Sequence, residues 1–190
     1  MNEIEKQISV ELDSFANYAH TNGLESPGQW TREVKNRIRK IGQSHRHTVC
    51  ANGCSELVID QDKSEWVFDL TWQKKDAEGF LAGLALAMES EWTHDRDGDA
   101  DFEKLIQCRA DLRLWIIHDK NEDSLRDHFD KCINMIRRFE GSQPGDRYLF
   151  AGHSNEDAKF FFQRYVYPGR EIDDAIPLGP LPAFLKKLPD

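Results

Sequence analysis

Apolar residues recur at helical spacing from the start of the chain. Ile4, Ile8, Leu12, Phe15 and Ala19 form one stripe over residues 3 to 20, and Asn22-Gly23 closes it. Ser26-Pro27 predicts the opening of a second helix, since serine caps well and proline suits the first turn. Trp30, Val34, Ile38 and Ile41 form its inner face, with Gly42 as its predicted stop. The pattern then shifts to strands. One spans about 47 to 60 and contains an Asn52-Gly53 hairpin turn; the others cover 65 to 73 and 81 to 92, joined by the polar turn "KKDAEG". Beyond an Asp-rich loop, "DFEKLIQCRADLR" reads as a helix with Phe102, Leu105, Ile106 and Leu112 inward. "LWIIH" follows as a short strand buried on both sides. A helix from 124 to 139, capped by Ser124 and stopped near Gly141, and two strands, "RYLFAG" and "KFFFQRYVY", complete the periodic part.

These elements predict one α/β domain over 1–190: a mixed sheet flanked by helices. Residues 1–23 are an extra N-terminal helix, 26–118 a core of helix, three strands, helix and strand, 119–167 the completion of the sheet, and 168–190 a Pro-rich, irregular tail. A length of 190 residues with 39% hydrophobic content supports a real core. The first twenty residues lack the apolar stretch of an export signal, and no apolar run approaches a membrane span. The expected location is therefore cytoplasmic, with Cys50, Cys54, Cys108 and Cys132 reduced. His45, His47, Cys50 and Cys54 match no common zinc spacing, and the Asn-Gly hairpin is the better reading.

Two strands break their own pattern. In 81 to 92, Ala85, Ala87, Glu89 and Glu91 share one predicted face, so an apolar strand ends with two carboxylates aimed the same way. In "WVFDLTW", Trp66, Phe68, Leu70 and Trp72 take one face, while Asp69 interrupts the other. A hairpin between the strands brings Asp69 beside Glu89 and Glu91. Three clustered carboxylates repel one another, and a hard divalent cation relieves that. The alternative for Asp69 is a buried ion pair with an arginine, and for the glutamates a strand end emerging into solvent. Lys104, on the next helix, supplies an ammonium that can stabilise charge developing on a phosphate.

An Asp on the second strand and Glu-x-Glu on the third, followed by a helix, resemble the PD-(D/E)XK nuclease superfamily, the restriction-endonuclease-like fold. The resemblance covers roughly residues 26 to 118. It implies a metal-dependent nuclease acting on DNA, with Mg2+ or Mn2+ held by Asp69 and Glu89, Glu91 completing the acidic set, and Lys104 acting in catalysis. Glu91 stands where the family usually has lysine; in some members that lysine moves to the following helix, which Lys104 matches. Some members also place a glutamate ligand on the preceding helix. Glu33 matches that position, against a simpler role as the i,i+4 partner of Arg37.

Charge modifies this picture in two ways. The net charge of −9 argues against nucleic acid, yet residues 32 to 46 carry six basic groups against one acid. The competing reading is an inactive module of the same fold, acting as a regulatory, immunity or accessory protein. "FFFQRYVY" is apolar enough to suggest a homodimer face. The loop "DRDGDAD" fails as an EF-hand, with Ala100 and Ile106 at the positions requiring Gly and Glu. No phosphate-binding glycine loop, Gly-x-Ser-x-Gly elbow or His-Glu-x-x-His pattern is present.

Overall fold

The computed structural model describes residues 2–24, 26–51, 67–92 and 98–169, with 98 and 99 by backbone alone. The Asn52-Gly53 turn, Cys54, Trp66, the loop acids Asp95 and Asp97, and the tail beyond Gly169 lie outside the described residues.

Two capped helices come first. α1 (Glu3–Thr21) starts at Asn2, whose side chain accepts from the Glu5 amide while the Glu5 carboxylate accepts from the Asn2 amide. α2 (Pro27–Ser44) starts at Ser26 in the same manner, with Gln29 reciprocating and Pro27 in the first turn. Strands β1 (Thr48–Ala51), β2 (Leu70–Lys75) and β3 (Leu81–Glu91) form an antiparallel meander. α3 (Gly98–Gln107) then leads to β4 (Ala110–Asp119), and α4 (Glu122–Arg138) to β5 (Arg147–Ser154); both strands run parallel to β3. β6 (Lys159–Val166) returns antiparallel, giving a six-stranded mixed sheet in chain order.

The sheet separates two cores. On one face α1 and α2 bury Leu12, Phe15, Val34 and Ile38 against Leu70, Trp72, Leu114 and Leu149. On the other, α3 and α4 bury Phe102, Leu105, Phe129 and Ile136 against Trp115 and Phe150. Both crossovers place their helix on the same face, as equal handedness requires. No described helix is long and apolar enough to cross a membrane.

Several predicted boundaries move, each for a physical reason. Gly42 does not stop α2, which runs to Ser44. A Cβ at Gly42 would lie 2.4 Å from the Trp72 indole nitrogen, so glycine is there to let helix and strand approach. The helix predicted through 113 ends at Gln107, and Ala110 already belongs to β4. Buried Arg113 accounts for this break, donating to the carbonyls of Cys108 (2.6 Å) and Ala110 (3.3 Å) and to Asp146 (3.1 Å). Leu112 is consequently a strand residue facing α1 and α2. The cap of α4 is Asn121, not Ser124, which instead serves as the reciprocating third residue.

Two strand faces also change. Val67 has a left-handed backbone (φ 69°), rare for a β-branched residue, and is exposed. Regular pairing begins only at Leu70, and Phe68 packs toward α3 and α4 while Leu70 and Trp72 pack toward α1 and α2. In β3 the register slips so that Trp72 opposes Leu86 while Gln73 opposes Leu84. This bulge puts Leu84 and Leu86 on opposite faces and moves Ala85 to the α1/α2 side, away from Ala87.

Candidate functional site

Asp69 and Glu89 meet where β2 begins and β3 ends. The Asp69 amide donates to Glu89 Oε2 at 3.2 Å, which ties the two acids through the backbone. Their side chains then diverge to the two layers. Asp69 Oδ2 accepts from the Ser90 amide (2.9 Å) and hydroxyl (2.7 Å), while Oδ1 pairs with Lys35 of α2 at 2.9 Å. Glu89 Oε1 lies 2.9 Å from Lys104 of α3, which also reaches Asp101 at 2.6 Å. Asp69 thus has an ion-pair partner, but it is a lysine from the basic helix where an arginine was the expected competitor.

Burial decides the protonation of this group. Glu89 is 4% exposed. That burial pushes its carboxyl up to about 7; the Lys104 partner opposes the shift and the Asp69 charge adds to it. Burial pulls the Lys104 ammonium down, but Asp101 and Glu89 outweigh it and hold its pKa above the ordinary lysine value. At neutral pH the site therefore holds a firmly charged Lys104 beside a carboxyl close to half-protonated.

Glu91 ends β3, half-buried, two residues beyond Glu89. Among the described residues, no three His, Cys, Asp or Glu side chains converge as metal ligands, so Glu91 does not join Asp69 and Glu89 in a three-acid cluster. Glu33 is also elsewhere: it pairs with Arg37 Nε at 2.9 Å, and Arg37 reaches on to Glu11 of α1. Lys35, two positions along, turns toward Asp69 instead, because a two-residue step moves more than half a turn around a helix.

The donor set fits a hard divalent cation in kind: two carboxylates and no soft ligand. Glu89 Oε1 is the carboxylate oxygen with the fewest hydrogen bonds in this pair. Among the described residues it is buried without a well-aligned hydrogen bond, and the Lys104 ammonium stands beside it. Of the His45, His47, Cys50 and Cys54 group, for which the sequence favours a hairpin over zinc, Cys54 and the Asn52-Gly53 turn lie outside the described residues. His45 bonds Gln7 at 2.7 Å and His47 stacks on Trp72. Cys50, Cys108 and Cys132 form no disulfide among the described residues.

Sequence reading missed Lys35 and Ser90. A signal for Lys35 existed: a buried aspartate requires a cation, and the basic stretch precedes the strands directly. No family model, no curated protein and no solved structure matches this chain, so the site is read from its own geometry.

Proposed function

We propose that the chain is a metal-dependent phosphodiesterase of the restriction-endonuclease-like kind, hydrolysing nucleic acid, with DNA the substrate that the resemblance implies. One observation carries this reading. The backbone bond from Asp69 to Glu89 brings acids from neighbouring strands to one sheet end, where the next helix delivers Lys104. The element order α2, β1, β2, β3, α3, β4 supports it, being the order the resemblance requires. Asp69 and Glu89 would hold Mg2+ or Mn2+, which polarises a phosphate oxygen and lowers the pKa of water. Ser90 fixes the Asp69 carboxylate, and Lys35 is the partner that a bound cation would displace from it. Glu89 would have to be ionised to serve as a ligand, and Lys104, firmly protonated, would balance charge developing on the phosphate.

A second reading has its own support. Lys35 and Lys104 already neutralise the two acids without a metal, as suits a non-catalytic module of similar architecture.

Manganese titration by calorimetry separates the two. The phosphodiesterase reading expects one binding event, lost in Asp69→Asn, with release of up to about one proton per site near pH 6 as Glu89 ionises. Cleavage of plasmid DNA in Mg2+ should then fall about a hundredfold in Lys104→Ala. A wild type without heat of binding leaves the module reading.

A further inference from the structure

A second feature shares this end of the sheet. Pro27, Trp30, Trp92, His118, His153 and Asn155 line a cleft of about 230 Å³. Trp92 follows the last residue of β3, while His118 and His153 lie at the ends of β4 and β5. The cleft therefore sits at the carboxyl ends of three neighbouring parallel strands, the place where open α/β sheets take ligands. It is also on the Asp69 side. Ser90, which holds Asp69 with both its amide and its hydroxyl, is two residues before Trp92, roughly 7 Å along an extended chain.

The walls define the chemistry of an occupant. Trp30 packs 5.0 Å from Trp92 and 4.7 Å from His153, and Trp92 lies 6.0 Å from His118, measured between ring centroids. Trp30 is held in place by its indole N–H, which donates to the Leu24 carbonyl at 3.0 Å. Asn155 contributes an amide, 3.4 Å from His118 Nδ1. Burial holds the His153 imidazole down to about 4, so that ring is neutral in the physiological range. Among the described residues, no Asp, Glu, Lys or Arg is in the lining. Flat aromatic faces with a few amide and imidazole edges, and no acid, lysine or arginine among the described lining residues, suit a planar, uncharged, polar-edged ring. The volume lies below the range for drug-sized ligands and matches a single ring system better than a base pair.

We propose that this cleft binds one unpaired nucleobase of a nucleic-acid strand, stacked on the aromatic wall of Trp30, Trp92 and His118 and contacted at its edge by Asn155. The choice of a nucleobase among planar rings rests on the phosphodiesterase reading of the adjoining acids: a base held here leaves its own phosphate on the Asp69 side of the sheet end. Stacking of this kind tolerates any base.

The test uses the full chain without metal, in EDTA, with hexathymidylate as probe and tryptophan fluorescence as readout. Saturable quenching is expected, with Kd raised about tenfold in each of His118→Ala and Asn155→Ala. Manganese calorimetry on the same two variants should match the wild type, because neither residue is one of the acids proposed to hold the cation. Absence of quenching, or equal Kd in wild type and both variants, overturns the pocket. Thymidine monophosphate binding as tightly as the hexamer overturns its assignment to a strand. Variant-sensitive quenching in a protein that binds no manganese keeps the pocket and removes the phosphodiesterase reading; the opposite pair of results does the reverse.

Discussion

Glu89 and His153 are both buried and both shifted, and their effects on stability run in opposite directions. Glu89 rises from 4.5 to about 7 on folding, so the folded state holds the proton more tightly and stability falls as pH climbs through that window. His153 drops from 6.5 to about 4, so the unfolded state binds the proton first and stability falls as pH descends through its window. Between 4.5 and 6.5 the two contributions oppose each other. Glu89→Gln should expose the histidine term: relative to wild type, its stability should gain up to about 1.4 kcal/mol for each pH unit of rise. Urea midpoints at pH 5 and 6.5 for both proteins measure this. Parallel profiles would show that Glu89 is already ionised at pH 5. Asp69 and Glu89 were legible in the sequence because a carboxylate inside an apolar tract is a local anomaly. His153 was not, since nothing near it in "RYLFAGHS" signals burial against a tryptophan far upstream.

The joint between α2 and β2 shows how an element is set by its neighbour. Gly42 read as a helix stop, yet its helix continues because the missing side chain admits the fully buried Trp72 indole. Gly42→Ala therefore tests two competing effects. Helix propensity favours alanine by about 1 kcal/mol. Against it, a Cβ 2.4 to 2.7 Å from three indole atoms requires an aromatic side chain with no free space to move. Overpacking of this sort costs roughly 1–3 kcal/mol, so the variant should be net destabilised by up to about 2 kcal/mol in chemical denaturation. A variant more stable than wild type would show that the Trp72 indole yields to the added methyl and that close approach is not what glycine provides there. The end of α3 makes the same point, for the Arg113 guanidinium gathers carbonyls from the turn before its own strand.

Across the whole molecule, the acid pair is where both helical layers meet the sheet. Lys35 arrives from the α1/α2 side and Lys104 from the α3 side, each ending on a different carboxylate. At the opposite margin Glu5 of α1, fully buried, pairs with Arg147 of β5 and anchors the first helix to the sheet. Lys35→Met should cost about 3 kcal/mol, since it leaves the Asp69 carboxylate largely buried without its cation. Lys35→Met combined with Asp69→Asn should recover most of that loss, and a double-mutant cycle by urea unfolding measures the coupling. Additive losses would mean that Lys35 packs through its stem alone. The basic stretch that carries Lys35 thus has at least one inward-facing member, and net charge over residues 32 to 46 overstates what that helix presents to a phosphate backbone.

The type and approximate position of the described helices and strands were readable from order alone, because 3.6-residue and two-residue periodicities and side-chain caps are properties of adjacent residues. The mixed α/β class followed from that order, as did the anomaly of Asp69 and Glu89. The faces of residues 67 to 69 and 84 to 86 were not readable, since a left-handed Val67 and a bulge against β2 arise from pairing with another strand. Nor was the partner of Asp69, which lies 34 positions upstream on a helix whose rotation is set by Trp72 and the α1 contacts. Local patterns carry no information about which distant group will fill a space or satisfy a buried charge. Packing and desolvation make that selection only once the layers have closed.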